Sequence, residues 1–210
     1  CNCACSYCIV PSVRGREVCR DPEEIIDEVR RLAESGVREV TLLGQNVNAY
    51  EFSIHDSRFT IHATFASLLR RIADETAIAR IRFTSPHPRD AGEDLVEEYA
   101  TNAKLMPHIH LPVQAGSNAV LRRMRRGYTR ERYLEICKKL RRARPDISIT
   151  TDLIVGFCGE TEADFEDTLS LMREVDFDSA FAFKYSPRPG TEAAEKMPDD
   201  VPTAEKDRRL

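Results

Sequence analysis

Short apolar runs alternate with longer amphipathic segments along most of this 210-residue chain. Runs rich in branched residues predict buried strands at residues 38–45, 79–85, 108–114, 147–157 and 179–186. The segments around them predict helices at residues 22–36, 62–77, 92–104, 129–144 and 161–175. Strands separated by helical crossovers run parallel, because a long connection returns the chain to the same end of the sheet. The sequence therefore predicts an α/β fold.

The loops after the predicted strands distinguish two parallel architectures. Each strand is followed by small polar residues, such as GQN at 44–46 and QAGS at 114–117. An open doubly wound sheet concentrates its polar loops at one switch point, whereas a (β/α) barrel builds its site from many strand ends. All five strands contribute here, so we expect a partial (β/α) barrel.

Composition excludes several classes of protein. The chain is 41% hydrophobic and 31% charged, as an ordinary globular protein is. No run approaches eighteen uninterrupted apolar residues, so we expect no membrane span and no membrane partner. The formal net charge of −4 argues against non-specific nucleic-acid binding by the whole surface, but it allows a local basic patch.

Cysteine is concentrated at one end of the chain. The seven cysteines stand at positions 1, 3, 5, 8, 19, 137 and 158. An odd number, clustered in this way, is not a disulfide framework, and without secretory marks it predicts a reducing cytoplasm.

Cys1, Cys5 and Cys8 have the spacing C-x3-C-x2-C. Three thiolates in a short loop can hold three irons of a [4Fe–4S] cluster and leave the fourth iron open, and cysteine is the usual ligand of such clusters. A structural zinc site is an alternative, with Cys3 or Cys19 as the fourth ligand. In a third interpretation the thiols are small buried hydrophobes. The spacing favours the iron–sulfur cluster.

The residues around these cysteines resemble the radical S-adenosylmethionine (SAM) signature, with the aromatic Tyr7 before the last cysteine. Further segments resemble one branch of these proteins, the MiaB-type tRNA methylthiotransferases, and they follow that family's order over nearly all of residues 1–191. The matching segments are YCIVPSVRGRE, TLLGQNVNAY, FTSPHPRD, HIHLPVQAGS, LRRMRRGYTRERYLE, TDLIVGF and YSPRPGT.

The resemblance implies a reaction and its cofactors. Cys1, Cys5 and Cys8 would hold a [4Fe–4S] cluster whose open iron binds S-adenosylmethionine. Reductive cleavage would give a 5′-deoxyadenosyl radical, which would take hydrogen from C2 of an isopentenyl-modified adenosine next to the tRNA anticodon before a methylthio group is added. The implied partners are tRNA and an electron donor such as flavodoxin or ferredoxin, and we expect a cytoplasmic monomer. No catalytic residue is assigned beyond the cluster.

The resemblance also assigns residues to the cofactor and the nucleoside. Gln45 and Asn46 would hold the methionine end of S-adenosylmethionine by hydrogen bonds, although GQN is also an ordinary turn sequence. Asp152 would accept hydroxyl hydrogen bonds, or it caps or forms a salt bridge near its strand end. The complete set of cofactor-binding candidates is Tyr7, Gln45, Asn46, Gln114, Ser117 and Asp152.

A basic segment, LRRMRR at 121–126, could bind phosphate, although a solvated helix face is the ordinary role of such a run. Arg14 lies beside the cysteines, and Arg188 stands between two prolines. The candidates for substrate or RNA contact are Arg14, Arg126 and Arg188.

Comparison with complete members of the family defines the expected domains. Residues 1–191 would be a radical SAM core that lacks the first of six strands, and 192–210 a linker toward an absent C-terminal TRAM-type domain. The N-terminal methylthiotransferase domain, with its second cluster, is also expected to be absent, so this chain alone should not complete the reaction. Alternative functions are methylthiolation of a ribosomal-protein aspartate and a non-catalytic metal-binding module that binds RNA or a partner.

Overall fold

The computed structural model of the protein describes residues 1–55 and 60–210. Within these residues the chain forms nine α-helices and seven strands. The helices are α1 (Val10–Arg14), α2 (Pro22–Glu34), α3 (Phe65–Glu75), α4 (Glu93–Thr101), α5 (Asn118–Arg123), α6 (Arg130–Ala143), α7 (Glu162–Val175), α8 (Glu192–Lys196) and α9 (Thr203–Arg209). The strands are β1 (Glu39–Leu42), β2 (Glu51–His55), β3 (Thr60–Thr64), β4 (Arg80–Phe83), β5 (His108–His110), β6 (Ser148–Val155) and β7 (Ser179–Lys184).

The chain divides into two compact units. The first, here called the cysteine unit, comprises Cys1–Glu17, Leu111–Lys138 and Ser148–Leu210. The second, here called the hairpin unit, comprises Val18–His110 and Lys139–Ile147.

Parallel pairing organises the hairpin unit, as the crossover argument predicts. Strand β1 pairs in parallel with β4, from Glu39 opposite Arg80 to Leu42 opposite Phe83. Leu105 forms a further parallel bridge to Ile81. Helix α3 buries Phe65, Leu69 and Ile72 in the core of this unit.

An antiparallel hairpin in this unit differs from the prediction. Strands β2 and β3 pair from Glu51 opposite Thr64 to His55 opposite Thr60, although residues 62–64 are predicted to begin a helix. The helix begins at Phe65, because the Thr64 hydroxyl accepts a hydrogen bond from the Ser67 N–H and the Ser67 hydroxyl accepts one from the Thr64 N–H. The described strands therefore comprise the five predicted and the two of this hairpin.

In the cysteine unit, β6 pairs in parallel with β7, from Thr150 opposite Ser179 to Val155 opposite Lys184. Burial alternates along β6: Thr151, Leu153 and Val155 are buried, and the residues between them are less so. Asp152 and Ile154 therefore share the other face of the strand. Gln114, in the segment after β5, forms a parallel bridge to Leu153 of β6. This bridge extends the sheet by one residue pair.

Residues 192–210 form two helices rather than the predicted linker. Ala193 and Val201 are buried, and the Lys206 ammonium donates to the Tyr185 carbonyl at 3.3 Å. The Arg209 guanidinium pairs with the Glu160 carboxylate at 2.8 Å. The polar composition suggested a linker because the residues that pack are themselves charged, and a charged group can be buried only where it is paired.

None of the helices in the two described stretches is long and apolar enough to cross a membrane.

Candidate functional site

The first eight residues form a loop, here called the cysteine loop. The Cys8 N–H donates to the Cys5 carbonyl at 3.1 Å, and α1 begins two residues later with a proline in its first turn. Cys1, Cys5 and Cys8 are partly exposed, whereas Cys3 is buried. None of the seven cysteines, all of which lie in the described residues, forms a disulfide.

Ser6 anchors this loop to the rest of the cysteine unit. Its N–H donates to the Met124 carbonyl at 3.1 Å, and its hydroxyl donates to the Arg123 carbonyl at 2.7 Å. Its own carbonyl accepts from the Ala193 N–H at 2.7 Å. Three bonds at one buried residue fix the loop against the end of α5 and the start of α8. A serine among cysteines carries no distinguishing pattern, so the sequence alone does not reveal the role of Ser6.

Arg126 contacts the cysteine loop directly. Its side chain donates from Nη1 to the Cys5 Sγ at 3.3 Å, from Nη2 to the Pro112 carbonyl at 3.0 Å, and from Nε to the Tyr128 hydroxyl at 3.1 Å. The residue is 6% exposed. Burial acts to lower the pKa of Arg126, but Tyr128, Tyr7 and Cys5 raise it by more, so the guanidinium stays charged. The residue expected to contact RNA is thus buried against a thiol.

Tyr7, a predicted cofactor-binding residue, packs its ring edge against Phe157 at a centroid distance of 6.1 Å. Burial raises the pKa of Tyr7 well above its usual range, and the nearby Arg126 charge offsets only part of this. The phenol is therefore protonated at all physiological pH values, and its ring is partly buried against the apolar cluster that contains Phe157.

Gln114, which follows β5, hydrogen-bonds to the backbone of β6 on either side of Leu153, next to Asp152. The Gln114 N–H donates to the Asp152 carbonyl and its carbonyl accepts from the Ile154 N–H, both at 2.9 Å. Gln114 has φ of 75°, a left-handed conformation that a non-glycine residue adopts at a cost of about 1–3 kcal/mol. Asp152 lies opposite Phe181 in the register of β6 and β7. These two predicted residues are thus brought together by the sheet.

Ser117 has a structural role in this geometry. Its hydroxyl accepts from the N–H groups of Ala119 and Val120, which makes it the N-cap of α5, and donates to the Asp164 carboxylate. The residue is buried. A serine immediately before a helix is itself a capping signal, so this contact could have been predicted from local sequence.

Two loops of the hairpin unit meet around Asp90. The buried Asn46 donates from Nδ2 to Asp90 at 2.7 Å, and Arg89 donates twice to the same carboxylate at 2.9 Å. Burial would raise the pKa of Asp90, but the hydrogen bonds from Arg89 and Asn46 outweigh it and lower the pKa below its usual value. Gln45, next to Asn46, is exposed. The partner Asp90 lies in the FTSPHPRD segment, where the sequence alone does not reveal this contact.

The remaining arginine candidates are on the surface. Arg14 is exposed at the end of α1, and Arg188 is exposed in the loop after β7, where its carbonyl accepts from the Thr191 hydroxyl at 2.7 Å. Within the basic segment, Arg123 donates to the Gly159 carbonyl at 3.1 Å and Arg125 donates to Glu192 at 2.6 Å.

The side chains of the cysteine loop are of the type that binds an iron–sulfur cluster. Three partly exposed thiols in one short loop, none of them in a disulfide, are the ligands that such a cluster takes. In the described residues no group of three or more His, Cys, Asp and Glu side chains is gathered closely enough to hold a metal ion. The loop thus supplies three cysteine thiols in the spacing that an iron–sulfur cluster requires. The structure does not bring the three sulfur atoms together around one point.

Comparison with known proteins identifies the family. The sequence profile of the radical SAM superfamily matches residues 1–172. The chain belongs to the radical SAM superfamily.

Curated relatives of this radical SAM chain carry a common name. It is 57% identical, over its whole length, to the tRNA-2-methylthio-N(6)-dimethylallyladenosine synthase of Moorella thermoacetica, and covers 46% of that protein. The proteins of the same name from Chromobacterium violaceum and Bacillus velezensis are 51% and 55% identical over the whole chain, which covers 46% and 40% of them. The chain thus spans less than half the length of these relatives.

Solved structures show the same fold at low sequence identity. The radical SAM enzyme coproporphyrinogen III oxidase from Escherichia coli matches with a TM-score of 0.63 at 20% identity, over the whole of this chain and 48% of that one. Methylornithine synthase matches with a TM-score of 0.57 at 16% identity, over the whole of this chain and 57% of that one. These likenesses show a radical SAM-like fold.

Proposed function

We propose that this chain is the radical SAM core of a tRNA methylthiotransferase that adds a methylthio group to C2 of isopentenyl-modified adenosine. The observation that carries the proposal is 51–57% identity, over the whole chain, to synthases whose name states this product. That name favours tRNA over the alternative substrate, an aspartate of a ribosomal protein.

In this proposal Cys1, Cys5 and Cys8 would hold a [4Fe–4S] cluster. When bound, the cluster and S-adenosylmethionine supply one-electron cleavage of the sulfonium, chemistry that no amino-acid side chain provides. The protein would hold the ligands in place: Ser6 ties the loop to α5 and α8, and the Tyr7 ring, which packs on Phe157, would shield Cys8 from water.

The polar candidates would orient the cofactor and the nucleoside. Asp152 lies on β6, and Gln114 bonds to the backbone of that strand. The Asp152 carboxylate would accept hydrogen bonds from ribose hydroxyls, and the Gln114 amide would donate to or accept from a base. Gln45 and Asn46 would bind the methionine end of S-adenosylmethionine, with the Asn46 amide oriented by Asp90. Arg14 and Arg188, exposed on the cysteine unit, are the candidates for phosphate contact.

The proposal extends to architecture and partners. Parallel pairing in both units and the fold likeness support a partial (β/α) barrel. A complete enzyme would add an N-terminal domain with a second cluster and a C-terminal TRAM-type domain, in keeping with relatives about twice as long. It would act as a cytoplasmic monomer with tRNA as substrate and with flavodoxin or ferredoxin as electron donor.

Anaerobic reconstitution tests the chemistry. The chain is incubated with iron and sulfide, then with a reductant and S-adenosylmethionine, and 5′-deoxyadenosine is measured. We expect Cys5→Ala to abolish both iron binding and product, and the matched control Cys3→Ala to retain both. Loss on Cys3→Ala alone would overturn the ligand assignment, and stoichiometric zinc without product would overturn the enzyme class.

A chimaera tests the substrate. The chain replaces the corresponding segment of the Moorella thermoacetica synthase, and tRNA from cells that lack the modification is digested and analysed by mass spectrometry. We expect methylthio-isopentenyladenosine. A chimaera that forms 5′-deoxyadenosine but leaves the tRNA unmodified, beside an active parent, would refute the proposed substrate.

A further inference from the structure

The Arg126 guanidinium is a charged group that contacts a thiol of the cysteine loop. It is buried, and the acceptors of its three hydrogen bonds are a carbonyl, a phenol and the Cys5 thiol. Arginine is charged under all physiological conditions, and burying a charge is costly unless polar groups surround it. A buried guanidinium whose hydrogen-bonding groups are used internally is not available to an RNA phosphate.

The backbone around Arg126 directs it inward. Arg125 and Gly127, on either side, have positive φ angles of 55° and 73°. Arg125 points outward, where it pairs with Glu192, while the Arg126 N–H closes the turn by donating to the Leu121 carbonyl at 3.0 Å. Residues other than glycine rarely adopt a left-handed conformation, so the conformation of Arg125 defines this turn closely. The turn places Arg125 at the surface and Arg126 in the interior.

Tyr128 holds the guanidinium from the other side. Its hydroxyl accepts from the Arg126 Nε and donates to the Val113 carbonyl at 2.7 Å, and the Arg126 side chain lies 5.5 Å from the centre of its ring. The Pro112 carbonyl and the Tyr128 hydroxyl thereby hold two nitrogens of the planar Arg126 guanidinium. The third nitrogen is directed at the Cys5 sulfur. A lysine ammonium could not make these three contacts in the same geometry.

We propose that Arg126 is a positioning residue: it holds the Cys5 thiol through an N–H···S hydrogen bond and so sets the conformation of the cysteine loop and the retention of its iron. The part that concerns iron rests on the proposed function, whereas the part that concerns the loop does not. Groups that hydrogen-bond to metal ligands orient those ligands, and hydrogen bonds to cluster sulfurs raise the reduction potential.

Three variants of the full 210-residue chain separate this role from general stability. Arg126→Gln removes the charge, and Arg126→Lys keeps the charge but loses the fork. Arg122→Gln is the matched control, because Arg122 is an exposed arginine of the same basic segment. Hydrogen–deuterium exchange of the metal-free chain is compared in two peptides, residues 1–8 and the β6 strand.

Without metal, we expect faster exchange of residues 1–8 in both Arg126 variants, with β6 and the Arg122 control unchanged. After reconstitution, we expect iron release to a chelator to become about 10-fold faster, the lower end of the effect of removing an outer-shell partner. The midpoint potential should shift to a more negative value, because a hydrogen bond to sulfur is lost.

The outcomes distinguish the two proposals. If the wild-type chain retains iron and both Arg126 variants match Arg122→Gln in exchange, iron release and potential, the positioning role is refuted. If the wild-type chain binds no iron, the proposed function fails, and unchanged exchange of residues 1–8 would then refute the positioning role as well. If Arg126→Gln does not fold, its amide hydrogens will exchange rapidly along the whole chain. The Arg126→Lys variant then tests the positioning role by the same three measurements.

Discussion

Replacement of Arg209 by methionine should destabilise the cysteine unit strongly, because it leaves a buried carboxylate without its cation. The Arg209 and Glu160 side chains are only 5% and 2% exposed, and their Nη1–Oε1 distance is 2.8 Å. Glu160 would retain one hydrogen bond, from the Gly156 N–H at 2.8 Å. Removing one partner of a buried ion pair costs about 3–5 kcal/mol. At about 2–4 °C per kcal/mol for a chain of this size, the melting temperature should fall by roughly 6–20 °C.

Arg208 provides the control, since it is the adjacent arginine of the same helix. It pairs with Glu162 and Glu205 at the surface, where its side chain is 49% exposed. Exposed ion pairs contribute little to stability, so Arg208→Met should unfold close to the urea concentration at which the wild-type chain unfolds. Both variants are compared with the wild-type chain by urea unfolding monitored by circular dichroism.

The double variant Arg209→Met/Glu160→Met completes the test. If the cost of Arg209→Met comes from the unpaired Glu160 carboxylate, removing that carboxylate should restore most of the lost stability. The reasoning is refuted if Arg209→Met and Arg208→Met unfold at the same urea concentration. Such a result would mean that the Arg209–Glu160 pair contributes no more to stability than the exposed ion pairs of Arg208.

Three further perturbations test other parts of the structure. Gly116→Ala should destabilise by about 1–3 kcal/mol in urea unfolding, because the added Cβ would lie 2.5 Å from the Asp167 carbonyl oxygen and from the Thr168 Cα; wild-type stability would contradict that packing. Asp90 has a lowered pKa, so its contribution is present above its unfolded value of about 4 and is lost as pH falls through the folded value. Acid titration of Asp90→Asn should therefore show a weaker loss of stability below about pH 4, and an unchanged profile would exclude this carboxylate as a source. Tyr99→Phe removes the hydrogen bond to the His108 carbonyl at 3.0 Å and should cost about 1 kcal/mol in thermal unfolding; an unchanged melting temperature would show that this bond does not stabilise the fold.

Local chemistry made much of the secondary structure predictable. Helix α2 begins at Pro22, as predicted, because proline suits the first helical position and the Asp21 carboxylate accepts from the Glu23 N–H at 2.8 Å. Strand β6 is a run of branched residues whose alternate side chains are buried. These features depend on residues a few positions apart, which a sequence displays directly.

The β2–β3 hairpin was missed for a related reason. Its strands, EFSIH and TIHAT, are short and largely polar, and Ile54 is exposed. In strands this short and polar, hydrophobic periodicity carries little signal, and it does not detect the pairing of one strand with the other.

By itself, the sequence determined the parallel α/β class, the spacing of three cysteines suited to an iron–sulfur cluster, and the resemblance that the radical SAM profile confirmed. Only tertiary structure decided what Ser6, Arg126 and Arg209 do. Each acts through a partner more than 45 residues away: Ser6 on Arg123, Arg126 on Cys5, and Arg209 on Glu160. Charge and polarity in a sequence favour the surface, and burial reverses that expectation only where the fold brings a matching partner within hydrogen-bonding distance.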